Sequence, residues 1–169
     1  ILVIVAMPNV LGMFNQAKAN SFVTEVQKYM DTAKTSFMQQ AMLTGGKGIV
    51  FTQCHSSDIN GNCASTDEDD YESVGTVAQL DMDGGAKNYL IWFNRNGGFE
   101  RVIVYDNNFC YDNHNGAKNN LVATAGNMDK SKVDVKHVKE RSSGDKVGIT
   151  SDDVTTDFGC TGDEPAKTN

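Results

Sequence analysis

Apolar residues open the chain and then recur at helical spacing. Ile1–Met7 is an unbroken apolar run that meets Pro8, a residue suited to the first turn of a helix or to a kink within a longer one. Beyond Pro8 the apolar positions follow steps of three and four residues, which is the period of one helix face. The pattern predicts a helix over residues 9–43, where a glycine cluster ends it. Its apolar face comprises Val10, Leu11, Phe14, Ala17, Phe22, Val26, Tyr29, Met30, Ala33, Phe37 and Ala41.

The predicted helix is longer than a small domain is wide. Residues 9–43 alone would rise about 50 Å at the usual helical pitch. The half from Phe22 to Ala41 is expected to pack on the body, while the more apolar N-terminal part is expected to project beyond it. Because an exposed apolar helix end is unfavourable in water, the pattern predicts contact with a membrane, a partner or further copies of the chain.

Period-two alternation after residue 73 predicts strands. Val74–Met82 and Phe99–Asp106 alternate, and Asn88–Asn94 is apolar on both faces, as a central strand would be. The Asn-Gly-Gly sequence at 96–98 is a strong hairpin signal. We therefore expect an α+β fold in which an antiparallel β-meander packs on the long helix. Shorter strand candidates are Ile49–Thr52, Leu121–Thr124, Val133–Val138 and Val154–Phe158.

Charge divides the chain at the end of the predicted helix. The formal net charge is −7, and residues 1–43 hold three lysines against two acidic residues, so that they carry +1 and the remainder carries −8. We therefore divide the chain into a helix, residues 1–43, and a loop-rich head, residues 44–169. An acidic head without a cluster of lysine and arginine argues against nucleic-acid binding, which needs cations to contact phosphates. It argues equally against binding to anionic lipid surfaces.

The head contains an even number of cysteines. Four cysteines in an acidic head, in a chain whose apolar start suggests export from the cell, predict two disulfides. The sequence leaves three pairings open. Zinc is a poor alternative, because neither Cys-x-x-Cys nor His-x-x-x-His spacing is present. The cysteines are Cys54, Cys63, Cys110 and Cys160.

A partial calcium signal lies in the same head. Asp58, Asn60 and Asn62 place oxygen atoms at alternate positions, and Asp69 follows at the spacing of an EF-hand loop. Cys63 stands where that loop needs glycine, and no flanking helices are predicted. We therefore interpret these residues as solvated turns and expect no cofactor.

The sequence offers little basis for catalysis. His137 is expected on the polar face of a strand and His114 in a turn, and no nucleophile stands beside a base. Thr44–Gly48 lacks the spacing of a phosphate-binding loop. It also follows the C-terminus of the helix, whose negative pole disfavours phosphate. We therefore expect a protein that is not an enzyme.

The first 43 residues resemble type IV pilins and their pseudopilin relatives. In that family a long N-terminal helix, apolar in its first half and kinked at a proline, leads into a four-stranded antiparallel head. Ile1–Pro8 is similar to the end of the apolar segment, with Pro8 at the kinking proline. The resemblance implies that about a dozen residues precede Ile1. They would include the methylated first residue and the family's glutamate, and would complete a span long enough for a membrane.

The resemblance implies a structural subunit of an extracellular, cell-surface pilus. The subunit would be stored in the inner membrane, handled by the pilus assembly machinery, and added to a helical polymer of identical subunits through contacts that do not close. The side chains expected to bundle in the filament are Ile1, Leu2, Val3, Ile4, Val5, Met7, Pro8, Val10, Leu11 and Phe14.

The resemblance also supports one disulfide pairing and leaves two other functions open. Cys54–Cys63 would close a local loop, and Cys110–Cys160 would tie the end of the third strand of the meander to the C-terminal tail, as many pilins do. The other functions are those of a pseudopilin in a type II secretion or DNA-uptake machine and of an exported binding or adhesin module.

Mass spectrometry tests the two predicted disulfides. The unreduced chain is expected to be lighter than the reduced chain by two hydrogens for each disulfide, because each bond replaces two thiols. Peptide mapping without reductant then identifies the pairs. Equal masses before and after reduction would contradict the prediction.

Overall fold

The protein combines one long helix with one mixed sheet, which confirms the predicted α+β class. The computed structural model describes residues 2–40, 48–52, 75–80, 88–114 and 121–140, and for residues 2–15 and 75–77 it describes the backbone. Short 3-10 helices precede the last strand at Lys130–Lys132 and Val135–His137. The longer elements are α1 (Leu2–Gln40), β1 (Gly48–Thr52), β2 (Gly75–Ala78), β3 (Asn88–Phe93), β4 (Phe99–Tyr105), β5 (Phe109–Asp112) and β6 (Val138–Glu140).

The sheet order differs from the expected meander. The strands run β2-β1-β3-β4-β5-β6, with β2 parallel to β1 and every other neighbouring pair antiparallel. The prediction that Val74–Met82 begins the meander is therefore wrong, because β1 lies between β2 and β3. All five residues of β1 are buried, and a strand buried on both faces belongs inside a sheet. The six described strands also exceed the four that the family resemblance implies.

The prediction is also wrong beyond residue 106. It misses β5, a four-residue strand too short to show a clear alternation. Leu121–Thr124 forms no strand, and within Val133–Val138 the chain makes a 3-10 turn before β6 begins. The Asp134 side chain accepts a hydrogen bond from the Lys136 backbone N–H, which caps this turn and diverts the chain from an extended path. Val154–Phe158 lies outside the described residues.

Helix α1 covers one face of the sheet with its C-terminal half. Three ring pairs mark the contact: Phe22 with Phe109 at 5.7 Å, Tyr29 with Tyr89 at 5.4 Å and Phe37 with Phe93 at 4.8 Å between centroids. This confirms the predicted packing of the half that begins at Phe22. Ala17, which precedes that half, is exposed. The buried helix residues are Ala19, Phe22, Val26, Tyr29, Met30, Ala33 and Phe37.

The helix is longer than the sheet that it covers. Its 39 residues rise about 58 Å, whereas the longest strand, the seven-residue β4, spans about 23 Å. The stretch from Ala19 to Phe37, which contains the buried face, accounts for only about 27 Å of that rise. The backbone continues as helix through Pro8 and Gly12. Among the described residues, no helix meets the length and hydropathy needed to span a bilayer.

The opposite face of the sheet is buried as well. Its side chains alternate with those that face α1, so that Arg101 in β4 lies on this second face beside Trp92 in β3. Trp92 is half-buried, and its buried indole N–H has no hydrogen-bond partner among the described residues. The expectation that Asn88–Asn94 forms a central strand is confirmed. The buried residues of this second face are Val50, Thr52, Leu90, Arg101, Ile103, Tyr105, Cys110 and Asp112.

The predicted hairpin between β3 and β4 is present and depends on glycine. Gly97 has φ +85°, a left-handed conformation that side chains disfavour. The Asn94 side-chain oxygen accepts hydrogen bonds from the backbone N–H groups of Asn96 and Gly98, both at 2.9 Å. Lys34 Nζ donates to the Gly97 carbonyl oxygen at 2.8 Å, which ties the hairpin to α1.

Replacing Gly98 with alanine is expected to destabilise the head. The added methyl group would lie 2.8 Å from the Ala125 carbonyl oxygen, a backbone atom that cannot move aside cheaply. We expect a loss of about 1–3 kcal/mol in the free energy of unfolding, as for other overpacking substitutions. Urea denaturation measures this change.

Gly126→Ala is the matched control, because nothing lies within 4 Å of the methyl group it would add. Its effect is expected to stay within about 0.5 kcal/mol. Equal stability of the two variants would contradict the described approach of the hairpin to the loop at Ala125.

Candidate functional site

The residues predicted to assemble the filament lie at the start of α1. From Leu2 to Phe14 their backbone is helical, as the prediction requires, and Ile1 lies outside the described residues. The candidate calcium residues Asp58, Asn60, Asn62 and Asp69 also lie outside them. Within the part of the chain that the structure describes, no group of three or more acidic, histidine or cysteine side chains is placed to hold a metal ion.

One of the four cysteines falls within the described residues. Cys110 in β5 is buried and disulfide-bonded. Its partner is one of the other three cysteines, Cys54, Cys63 and Cys160, all of which lie outside the described residues. The pairing of Cys110 with Cys160 therefore stays a prediction.

A buried polar cluster lies on the second face of the sheet. The Arg101 guanidinium forms a bidentate salt bridge with the Asp112 carboxylate, in which Nε donates to Oδ1 at 3.0 Å and Nη2 donates to Oδ2 at 2.7 Å. Arg101 Nη1 lies 3.0 Å from His114 Nδ1. The residues are 0 %, 2 % and 4 % exposed, respectively. A charge-assisted pair of this geometry is strong, and its burial makes each partner depend on the other.

The antiparallel β4–β5 pair brings these side chains together. In its register Ile103 faces Asp112, and the chain then turns so that His114 reaches back towards Arg101. Asn113 extends the ladder beyond β5: its backbone N–H donates to the Val102 carbonyl at 3.1 Å, and its side-chain oxygen accepts from the Val102 N–H at 2.8 Å. The cluster thus fixes the point where β5 ends.

His114 lies in a turn, as predicted, but its side chain is buried inside this cluster. Its Nε2 lies 2.9 Å from the Glu100 carbonyl oxygen, and its backbone N–H donates to Asp112 Oδ1 at 2.9 Å. Burial, and next the Arg101 charge, lower the pKa of the imidazole. His137, expected on a strand, ends the second 3-10 helix and is half-buried.

The cluster contains residue types used in catalysis but leaves no room for a substrate. Its three members are almost wholly buried, and both carboxylate oxygens of Asp112 already accept hydrogen bonds. Buried tyrosines are equally unsuited to proton transfer at neutral pH. Burial is the largest cause that raises the pKa of Tyr29, to about 12, and burial also raises the pKa of Tyr111. The arrangement is suited to holding strands together.

A groove of about 620 Å³ lies where α1, the β3–β4 hairpin and the loop at 125–130 meet. Its charged side chains balance, with Lys34 and Lys130 against Asp31 and Asp129. Lys130 Nζ also pairs with the Asp31 carboxylate at 3.0 Å. The groove therefore carries no excess charge that would select an ion.

The comparisons with known proteins found no match: no family model, no curated protein and no solved structure matches this chain.

Replacing Arg101 alone is expected to destabilise the protein severely. Arg101→Met would leave the Asp112 carboxylate buried without its guanidinium partner, and breaking a buried pair in this way costs about 3–5 kcal/mol. Urea unfolding at pH 7.5, followed by the fluorescence of the single tryptophan, Trp92, measures the loss.

The double variant Arg101→Met with Asp112→Asn provides the control. The neutral amide still accepts the hydrogen bond from the His114 N–H, and no unpaired charge remains, so we expect a smaller loss than in the single variant. A single variant as stable as the original chain would show that the buried pair is not needed.

Proposed function

We propose that this chain is the structural subunit of an extracellular filament of the type IV pilus kind, assembled through the apolar start of α1. The observation that supports the proposal is the length of this helix. A continuous helix of 39 residues packs on the sheet through the stretch that begins at Ala19, and the sheet is too short to cover all of it. The part before that stretch bears the most apolar sequence of the chain, from Ile1 to Phe14.

Bundling of these helix starts would give the filament its cohesion. Each large apolar side chain that leaves water contributes about 1.5–3 kcal/mol, and every subunit would bring several of them to the shared core. Before assembly the same residues would rest in the inner membrane, from which the assembly machinery would take up the subunit. One set of side chains would thus serve both storage and polymerisation.

The head suits the exposed position that the proposal gives it. Its sheet is buried on both faces, and Cys110 in β5 is disulfide-bonded, which stabilises a small fold outside the cell. The head sequence also carries the negative charge of the chain. Negative charge on an outer coat keeps such a polymer soluble and discourages filaments from associating side by side.

Electron microscopy of filaments sheared from the producing cells tests the proposal. Leu11→Asp and Phe14→Asp are each expected to abolish filaments, because a carboxylate in the shared apolar core would lose its hydration without gaining a partner. Thr35→Asp is the control: it introduces the same charge on the same helix, at a position that is exposed on the head. It is expected to leave filaments in place.

The amount of subunit in the membrane fraction and its disulfide state are measured in all three variants, and a loss of filaments reports assembly where both match those of the unaltered chain. Normal filaments from both apolar-segment variants would overturn the proposed mechanism. Short stubs from the unaltered chain would favour a pseudopilin, and the absence of any polymer would overturn the filament proposal.

A further inference from the structure

We propose that Arg101, Asp112 and His114 form an acid-sensitive latch, which holds the end of β5 against β4 and opens when His114 takes up a proton. The proposal concerns the folded head and does not depend on filament assembly.

The contacts of the imidazole define its tautomer. Arg101 can only donate hydrogen bonds, so His114 Nδ1, at 3.0 Å from Nη1, must accept. The Glu100 carbonyl oxygen can only accept, so His114 Nε2, at 2.9 Å, must carry the proton and donate. Both ring nitrogens are therefore engaged in hydrogen bonds, and the ring is neutral with its proton on Nε2.

A second proton has no suitable place in this arrangement. It would have to bind to Nδ1, where it would point at an N–H group of a positively charged guanidinium. One favourable hydrogen bond would become a contact between two donors and between two positive charges. Because His114 as a whole is 4 % exposed, water screens that contact poorly while the latch stays closed.

The nearby carboxylates do not offset this conflict. Among the described residues, the charged groups that act on the ring are Arg101 and Glu100 from β4 and Asp112 from the end of β5. Both Asp112 oxygens are engaged by Arg101, and one also accepts from the His114 N–H. Glu100 Oε1 accepts from the Asn94 side chain at 3.1 Å, away from the ring nitrogen in question. Burial and Arg101 outweigh both carboxylates and lower the pKa of His114.

Opening the latch would release a defined piece of backbone. His114 follows Asn113, whose backbone and side chain bind Val102, and the Asn113 carbonyl accepts from the Val122 N–H at 2.9 Å. Moving the ring away from Arg101 therefore loosens the end of β5 and the point where the chain returns at Val122. The β3–β4 hairpin at Gly97 shares none of these bonds.

The direction of the pH effect follows from linkage. Since the pKa of His114 is lower in the folded state than its ordinary value of 6.5, the unfolded chain binds the proton more readily. The stability that the latch contributes is complete above pH 6.5 and is lost as the pH falls from there towards the folded pKa. Within that window one extra proton in the open state raises the opening equilibrium by up to about tenfold per pH unit.

Hydrogen exchange of the full chain in a non-ionic detergent, between pH 7.5 and 5.0, tests the latch. After correction for the intrinsic pH dependence of exchange, the amides of Val102, Asn113, His114 and Val122 are expected to open more often at acid pH. The Gly97 amide is expected to change less. In His114→Gln the side chain carries an acceptor and a donor but cannot take up a proton, so the acid-dependent increase should disappear. His137→Gln, in which the latch is intact, should keep it.

The titration of His114 in the unaltered chain, followed by NMR, provides a measurement that needs no variant. The latch requires His114 to titrate below 6.5, together with shifts of the Arg101 side-chain resonances. Titration of His114 at or above 6.5, or the same acid-dependent opening in His114→Gln, would overturn the proposal. Neither result would bear on whether the chain forms filaments.

Discussion

Phe22, Tyr29 and Phe37 project from α1 at intervals of seven and eight residues, and each ring meets an aromatic ring of the sheet. These intervals correspond to two helical turns, so the three rings lie in one row along the helix. The row fixes both the direction in which α1 crosses the sheet and the stretch of helix that the head occupies.

The polar contacts between α1 and the head support this packing without replacing it. Gln27 Nε2 donates to the Lys130 carbonyl at 3.1 Å, and Lys130 Nζ pairs with Asp31 on a surface where both side chains are more than half exposed. Exposed pairs of this kind contribute at most about 1 kcal/mol. Lys34 is better placed, because its Nζ holds the Gly97 carbonyl and lies 5.8 Å from the centroid of the Phe93 ring. It links the aromatic row to the hairpin.

The sequence predicts those parts of the fold that local pattern controls. The helix period identifies the buried face of α1, and alternation and the Asn-Gly-Gly turn locate β3, β4 and the hairpin between them. The strand order could not be predicted, because the parallel pairing of β1 with β2 joins segments that are distant in sequence. β5 escaped prediction for a related reason, since four residues are too few to show a period.

The buried polar cluster of Arg101, Asp112 and His114 likewise could not be predicted from local sequence patterns. Arg101 stands in an alternating strand, where a single charged residue is normally read as a solvent-facing position. Its burial depends on the second face of the sheet being covered and on the Asp112 side chain of β5 reaching its guanidinium, neither of which a local pattern reveals. The available signal was that Ile103 and Tyr105, the residues that follow this cation at alternate positions, are large and apolar or aromatic and are buried on its face of the sheet. Charged residues flanked in this way are candidates for a buried pair.

The aromatic row and the apolar start occupy different lengths of one helix, and this separation has a mechanical consequence. Stability of the head rests on residues from Ala19 onwards, whereas the assembly that we propose rests on residues up to Phe14. A change in the first set acts on folding, and a change in the second acts on association, although both sets belong to one continuous element. Pro8 interrupts the hydrogen-bonded ladder of α1, but an α-helix resists bending where its ladder is intact, so a force applied to the helix beyond Pro8 would be transmitted along it to the aromatic row. In a filament under tension, that row would be the place where the load passes from the helix into the sheet.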